Sequence, residues 1–155
     1  MGTLNSRLII LRQLDKKLLK HQQIQEFAPP PNGWLNAIRT VLNMSLKQLG
    51  SRLKMTAQGM KNLEEREKDG TITLNALRDA ADGLGLKMVY GFVPKEGSLE
   101  NMVSKKSQEM ALEIVKRTSV TMKLEDQENS NERIQQSVNE TAEQIKREMK
   151  KNLWD

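Results

Sequence analysis

The residue types with the clearest chemical use sit close together. Ala57, Gln58, Lys61 and Asn62 fall on one side of a 3.6-residue wheel, while Gly59, Met60 and Leu63 fall on the other. Side-chain amides of Gln and Asn can bond an adenine edge at two points, and an Ala methyl can meet the methyl of thymine. Lys61 offers a charge for a phosphate instead of a base. Ala57, Gln58 and Asn62 are therefore the expected base-reading residues. Ser45, Lys47, Arg52, Lys54, Thr56 and Lys61 are the expected phosphate contacts, through cations and capped helix starts.

The surrounding charge agrees with a polyanion partner. From Phe27 to Leu63 there is no Asp or Glu, yet the stretch holds Arg39, Lys47, Arg52, Lys54 and Lys61. A carboxylate there would repel a phosphate backbone. The net charge of +5 is uneven: five basic and two acidic side chains in 1–28, nine and six in 33–94, eleven and twelve in 95–155. The first two segments suit a polyanion and the third suits another partner.

Two short helices must position these groups. Leu46, Leu49 and Leu53 align over 45–53, and Ser45 with Gln48 makes an S-x-x-Q capping box. A second helix starts after Thr56 as N-cap and runs to about Glu65. Gly50 is small where two such helices would approach closely. Around them the periodicity predicts helices over 4–25, 34–42 and 74–84, the last with Thr73 as N-cap and Gly85 as a left-handed stop. On the first, Leu4, Leu8, Leu11, Leu14 and Leu18 form the apolar stripe, and packing is a better role for it than touching DNA. Pro29–Pro31 and Gly33 make a hinge. Leu86–Val93 is β-branched and aromatic and predicts one strand, ended by Pro94, that needs a partner in the chain or in a second copy. Amphipathic patterns over 98–116 and 132–154 follow, separated by a polar loop from 125 to 131. Trp34 and Trp154 read as packing anchors.

Several function classes are disfavoured. There is no Cys and a single His, His21, so no thiolate site and no Ser-His-Asp constellation can be assembled. No phosphate-binding glycine loop is present. The expectation is a protein that is not an enzyme and uses no metal and no cofactor. With no leader and no apolar run of about 18 residues, no membrane association is expected, and the cytoplasm is the expected location.

The run from Met44 to Glu64, with Leu49, Gly50, Leu53, Thr56, Met60, Leu63 and Glu64 as landmarks, resembles the helix-turn-helix motif of the Cro/lambda-repressor-like (XRE) family. That family often carries Gln at the position of Leu46, where it grips a phosphate that Leu cannot. It often carries Gly at the position of Lys54, where a side chain at positive φ would cost on the order of 1 kcal/mol. The resemblance implies a mainly α fold: a lambda-repressor-like helix-turn-helix domain (33–94) with an N-terminal basic helical arm (1–28), one short strand and a helical C-terminal extension (95–155). It also implies a homodimer on a two-fold double-stranded DNA operator.

A second resemblance spans nearly the whole chain. Arg12-Gln-Leu-Asp15, Gly33-Trp-Leu-x-Ala-Ile-Arg39, Gly70-Thr-Ile-Thr-Leu-x-x-Leu77, Leu86-Lys-Met-Val-Tyr90 with Val93-Pro94, Met122-x-Leu-Glu-x-Gln127 and Leu153-Trp-Asp155 are similar to landmarks of the bacterial mobile mystery protein A family. That family is encoded beside a Fic-domain protein. What it implies is a transcriptional regulator that represses its own operon and, as an antitoxin, restrains a Fic-domain partner through its tail. Fic enzymes are restrained by a helix with the motif [S/T]-x-x-x-E-[G/N]. Thr121 and Glu125 match its key positions, and Asp126 departs from its last. The alternative is a stand-alone repressor whose tail serves only dimerisation.

Overall fold

A computed structural model of the chain describes residues 2–23, 28–124 and 131–155. The fold is mainly α. Among the described residues the helices are α1 (Gly2–Leu19), α2 (Trp34–Val41), α3 (Leu46–Arg52), α4 (Ala57–Asp69), α5 (Leu74–Gly83), α6 (Leu99–Leu124) and α7 (Asn131–Glu148), and a 3-10 turn closes the chain at Lys151–Trp154. None of them is long and apolar enough to cross a membrane.

The chain divides into two compact units. Residues 25–90 form one, and residues 1–24 with 91–155 form the other. The basic arm and the tail, read separately in the sequence, thus belong to one body, whereas α2–α5 make a body of their own.

The α2–α5 unit is built on Leu35, Leu49, Met60, Leu63, Ala80 and Leu84, with Ile38, Met44, Leu46, Leu53 and Ile72 packed around them. Each helix donates the apolar positions of one face, the arrangement that lets short helices survive through packing. Leu46, which cannot hold a phosphate, contributes to this core instead. Local chemistry sets the ends. Ser45 Oγ accepts from Gln48 N at 3.1 Å while Ser45 N donates to Gln48 Oε1 at 2.8 Å, completing the capping box. Thr56 Oγ1 accepts from Gly59 N and Thr73 Oγ1 from Ala76 N. α4 runs one turn beyond its expected end and stops at Gly70, in a left-handed conformation. α2 stops at Val41, so Leu42 leaves its apolar face and is exposed.

The other unit rests on Ala111, Val115, Val138 and Ala142, where small side chains let α6 and α7 approach, flanked by Ile134 and Ile145. α1 joins through polar side chains that the apolar stripe did not announce. Asp15, only 7% exposed, accepts from Leu99 N at 2.7 Å and Glu100 N at 3.0 Å, and so caps α6 from another helix. Ser98 Oγ accepts from the next free donor, Asn101 N. Arg12 pairs with Glu100 at 2.9 Å and Lys146 reaches the same carboxylate at 3.1 Å. These two cations hold the Glu100 carboxyl down at about 2, Arg12 contributing most.

Four sequence expectations are corrected. The first helix ends at Leu19 instead of continuing to 25, and Leu14 is exposed because Asp15 takes the inward position. Leu86–Val93 forms no strand within the chain: no described segment of it provides a ladder of backbone partners. α6 continues to Leu124, past the expected 116, and α7 breaks at Glu148, where Met149 adopts φ 42°. Trp34 and Trp154 are 43% and 50% exposed, so neither is a buried anchor. The loop expected from 125 to 131 lies outside the described residues except for Asn131, which begins α7.

Candidate nucleic-acid interface

The site is made by α3, α4 and the turn between them. Lys54 takes φ 54° in that turn, so a residue with a Cβ occupies the left-handed position. Met55 N returns to Gly50 O at 2.9 Å and closes the bend. The close approach depends on Gly50, where a Cβ would stand 2.7 Å from Met55 O and 3.1 Å from Thr56 O. Both obstacles are backbone atoms and cannot swing aside.

α4 is thereby rolled into a definite orientation. Met60, Leu63 and Glu64 are buried, whereas Ala57, Gln58, Lys61 and Asn62 are exposed. Gln58 Nε2 donates to Asn62 Oδ1 at 3.0 Å, one helical turn on. The exposed face therefore carries two linked amides, a methyl and an ammonium.

Of the acidic residues that follow Leu63, Glu64 and Glu67 turn to α2, whereas Glu65 stays exposed and lines a shallow pocket with Lys61 and Glu64. Glu64 accepts from Arg39 Nη2 at 3.1 Å and Asn36 Nδ2 at 2.9 Å, and it pairs with Arg39 Nε as well. That hydrogen bond raises the Arg39 guanidinium above its ordinary range. Arg39 Nη1 donates to Met44 O at 2.8 Å. One turn further, Glu67 accepts from Trp34 N and Leu35 N, each at 2.8 Å, and caps α2. Gly33, at φ 84°, supplies no side-chain cap, and a Cβ there would stand 2.9 Å from the Glu67 carboxylate. Two carboxylates of α4 are thus engaged by α2 and clamp that helix, while Gln58 and Asn62 bond to each other on the exposed side.

The remaining cations differ in setting. Lys47 and Lys61 are exposed. Arg52 Nη1 donates to Gly83 O at 3.1 Å, and Arg52 and Lys54 line a shallow cleft together with Asp79 and Asp82. Those carboxylates offset their charge, so the phosphate residues expected from the sequence do not share one electrostatic environment. Arg39, part of the acid-free stretch, faces inward. Ser45 and Thr56 are exposed at the starts of α3 and α4, with their oxygens engaged in capping.

Sequence reasoning missed the clamp made by Glu64, Glu67, Arg39 and Asn36. Its signal was the i, i+3 acidic pair at the end of the acid-free run. For the tail, Thr121 falls in the last turn of α6, and Glu125 lies outside the described residues. Among the described residues no group of three or more His, Cys, Asp or Glu is arranged to hold a metal ion. Comparisons of the chain with protein-family models, curated proteins and solved structures find no match.

Proposed function

We propose that α3 and α4 form a helix-turn-helix and that the protein is a sequence-specific regulator binding double-stranded DNA as a homodimer. It is a binding protein of the bacterial cytoplasm, not an enzyme, with half-sites about one helical turn apart. The observation that carries this reading is the face of α4: amides, methyl and ammonium outward, with two of the helix's carboxylates consumed by α2. The resemblance to the XRE family supports it. Ala57, Gln58 and Asn62 read bases. Lys47 and Lys61, with the capped starts at Ser45 and Thr56, hold phosphates, and Arg52 and Lys54 contribute less.

The test is fluorescence anisotropy of the full chain on labelled duplex across a salt series. Wild type binds, and the logarithm of affinity falls linearly with the logarithm of salt concentration. Lys61→Ala and Lys47→Ala each flatten that slope by about one. Absence of duplex binding at low salt overturns the proposal.

The similarity to the mobile mystery protein A family extends the reading to an antitoxin-like role. In it, the regulator represses its own operon and its tail restrains a Fic-domain partner through Thr121 and Glu125. A Fic-domain protein in the neighbouring reading frame, its co-purification with this chain, and loss of inhibition in Glu125→Ala are the expected results. A tail that yields a stable dimer and no complex selects the stand-alone repressor.

A further inference from the structure

We infer that Gln58 and Asn62 act as one reading unit, Gln58 taking an adenine and Asn62 a neighbouring base whose major-groove edge presents an acceptor, guanine or thymine. The inference rests on α4 being the DNA-facing helix. Its basis is the 3.0 Å bond from Gln58 Nε2 to Asn62 Oδ1 between two exposed side chains.

That bond decides what each amide has left. Gln58 gives one Nε2 hydrogen to Asn62 and keeps the other beside Oε1. One donor next to one acceptor is the complement of adenine, with its N6 amino group and N7. Asn62 has one of its two Oδ1 lone pairs engaged and both Nδ2 hydrogens free, so its donors now outnumber its acceptors. A second adenine would draw a second hydrogen bond onto Oδ1 and leave one Nδ2 donor unused, which makes it the poorer match. Guanine, with O6 and N7, or thymine, with O4, needs only the donors that remain. Two amides that look interchangeable in the sequence are thus given different base classes.

The same sense of bond recurs on α7. Gln135 donates to Asn139 at 3.1 Å, Gln136 to Glu140 at 3.0 Å and Gln144 to Glu148 at 3.1 Å. In the last two the partner is a carboxylate, so a carboxylate four residues after a Gln retains the bond. Asn62→Asp therefore preserves the link and replaces the free donor by a free acceptor. Gln58→Glu does the reverse: it cannot donate, so Asn62 turns its Nδ2 toward the new carboxylate and presents Oδ1 outward. Both positions are exposed, and neither change touches the core.

The experiment is selection of bound duplexes from a randomised library by the full chain and by each variant, followed by affinity ratios on the selected sites. Wild type enriches adenine beside guanine or thymine. Asn62→Asp moves the second preference to cytosine, whose N4 amino group is a donor, and keeps the adenine. Its added charge lowers affinity for every sequence, so the preference is the readout. Gln58→Glu changes the preferred neighbour although Asn62 is intact. Each switch amounts to about 5- to 150-fold between the old and new base, from ~1–3 kcal/mol per pair. An Asn62→Asp protein with the wild-type neighbour preference, or one that loses the adenine too, overturns the unit. So does a Gln58→Glu protein with an unaltered neighbour preference. A wild-type chain that binds duplex but enriches no motif refutes the assignment of bases, and one that binds no duplex refutes the DNA reading beneath it.

Discussion

The orientation of α4 depends on the Arg39–Glu64 pair, and breaking it provides a stringent test. The two side chains are 14% and 7% exposed. Glu64→Ala removes the acceptor for Asn36 Nδ2 and for two nitrogens of Arg39, leaving the guanidinium only Met44 O. Loss of one partner from a buried pair costs about 3–5 kcal/mol. The retained bond to Met44 O and the residual exposure of Arg39 place Glu64→Ala near ~3 kcal/mol. Arg39→Met strands a carboxylate and costs a similar ~3 kcal/mol. Replacing both, Arg39→Met with Glu64→Leu, leaves neither charge unmatched and costs only about 1–2 kcal/mol. The cycle therefore returns a coupling of at least ~2 kcal/mol. Urea unfolding followed by the fluorescence of Trp34, the first residue of α2, isolates this unit once the exposed Trp154 is replaced by Phe. Additive losses in the two single variants, or a loss below ~1 kcal/mol for Glu64→Ala, would refute the reasoning.

Gly50→Ala drives a Cβ into the backbone of the inter-helix turn and destabilises the α2–α5 unit by about 1–3 kcal/mol, read from the same urea midpoint. Lys54→Gly relieves the positive φ and raises stability by about 0.5–1 kcal/mol, the strain relieved exceeding the entropy glycine adds; an unchanged midpoint contradicts that. Glu100 is held at about 2 in the folded state, below its ordinary 4.5. Its contribution is therefore present above about pH 5 and disappears as pH falls toward 2, on the order of 1 kcal/mol after allowance for water around the pair. Glu100→Gln should remove that part of the acid sensitivity, measured by unfolding at pH 3 and pH 6.

Much of the site was legible from local chemistry. The capping box at Ser45 and Gln48, the Thr56 and Thr73 caps, the role of Gly50 and the two faces of α4 follow from spacing and residue type. Each involves neighbours within about one or two turns, where sequence distance and spatial distance agree. Leu86–Val93 forms no strand within the chain because β-branched and aromatic residues make one only where a partner strand exists.

What the amino-acid order determined alone is the set of helices, the local caps at Ser45, Thr56 and Thr73, and the polar stripe that α4 could offer. What tertiary structure decided is which charges remain on offer. Glu64 and Glu67 bind α2, Asp15 crosses to the start of α6, and Arg52 and Lys54 share a cleft with Asp79 and Asp82. The physical reason is that a charged side chain carries no mark of its partner. Whether it faces solvent or an opposite charge depends on groups tens of residues away, which only folding brings within a few ångströms.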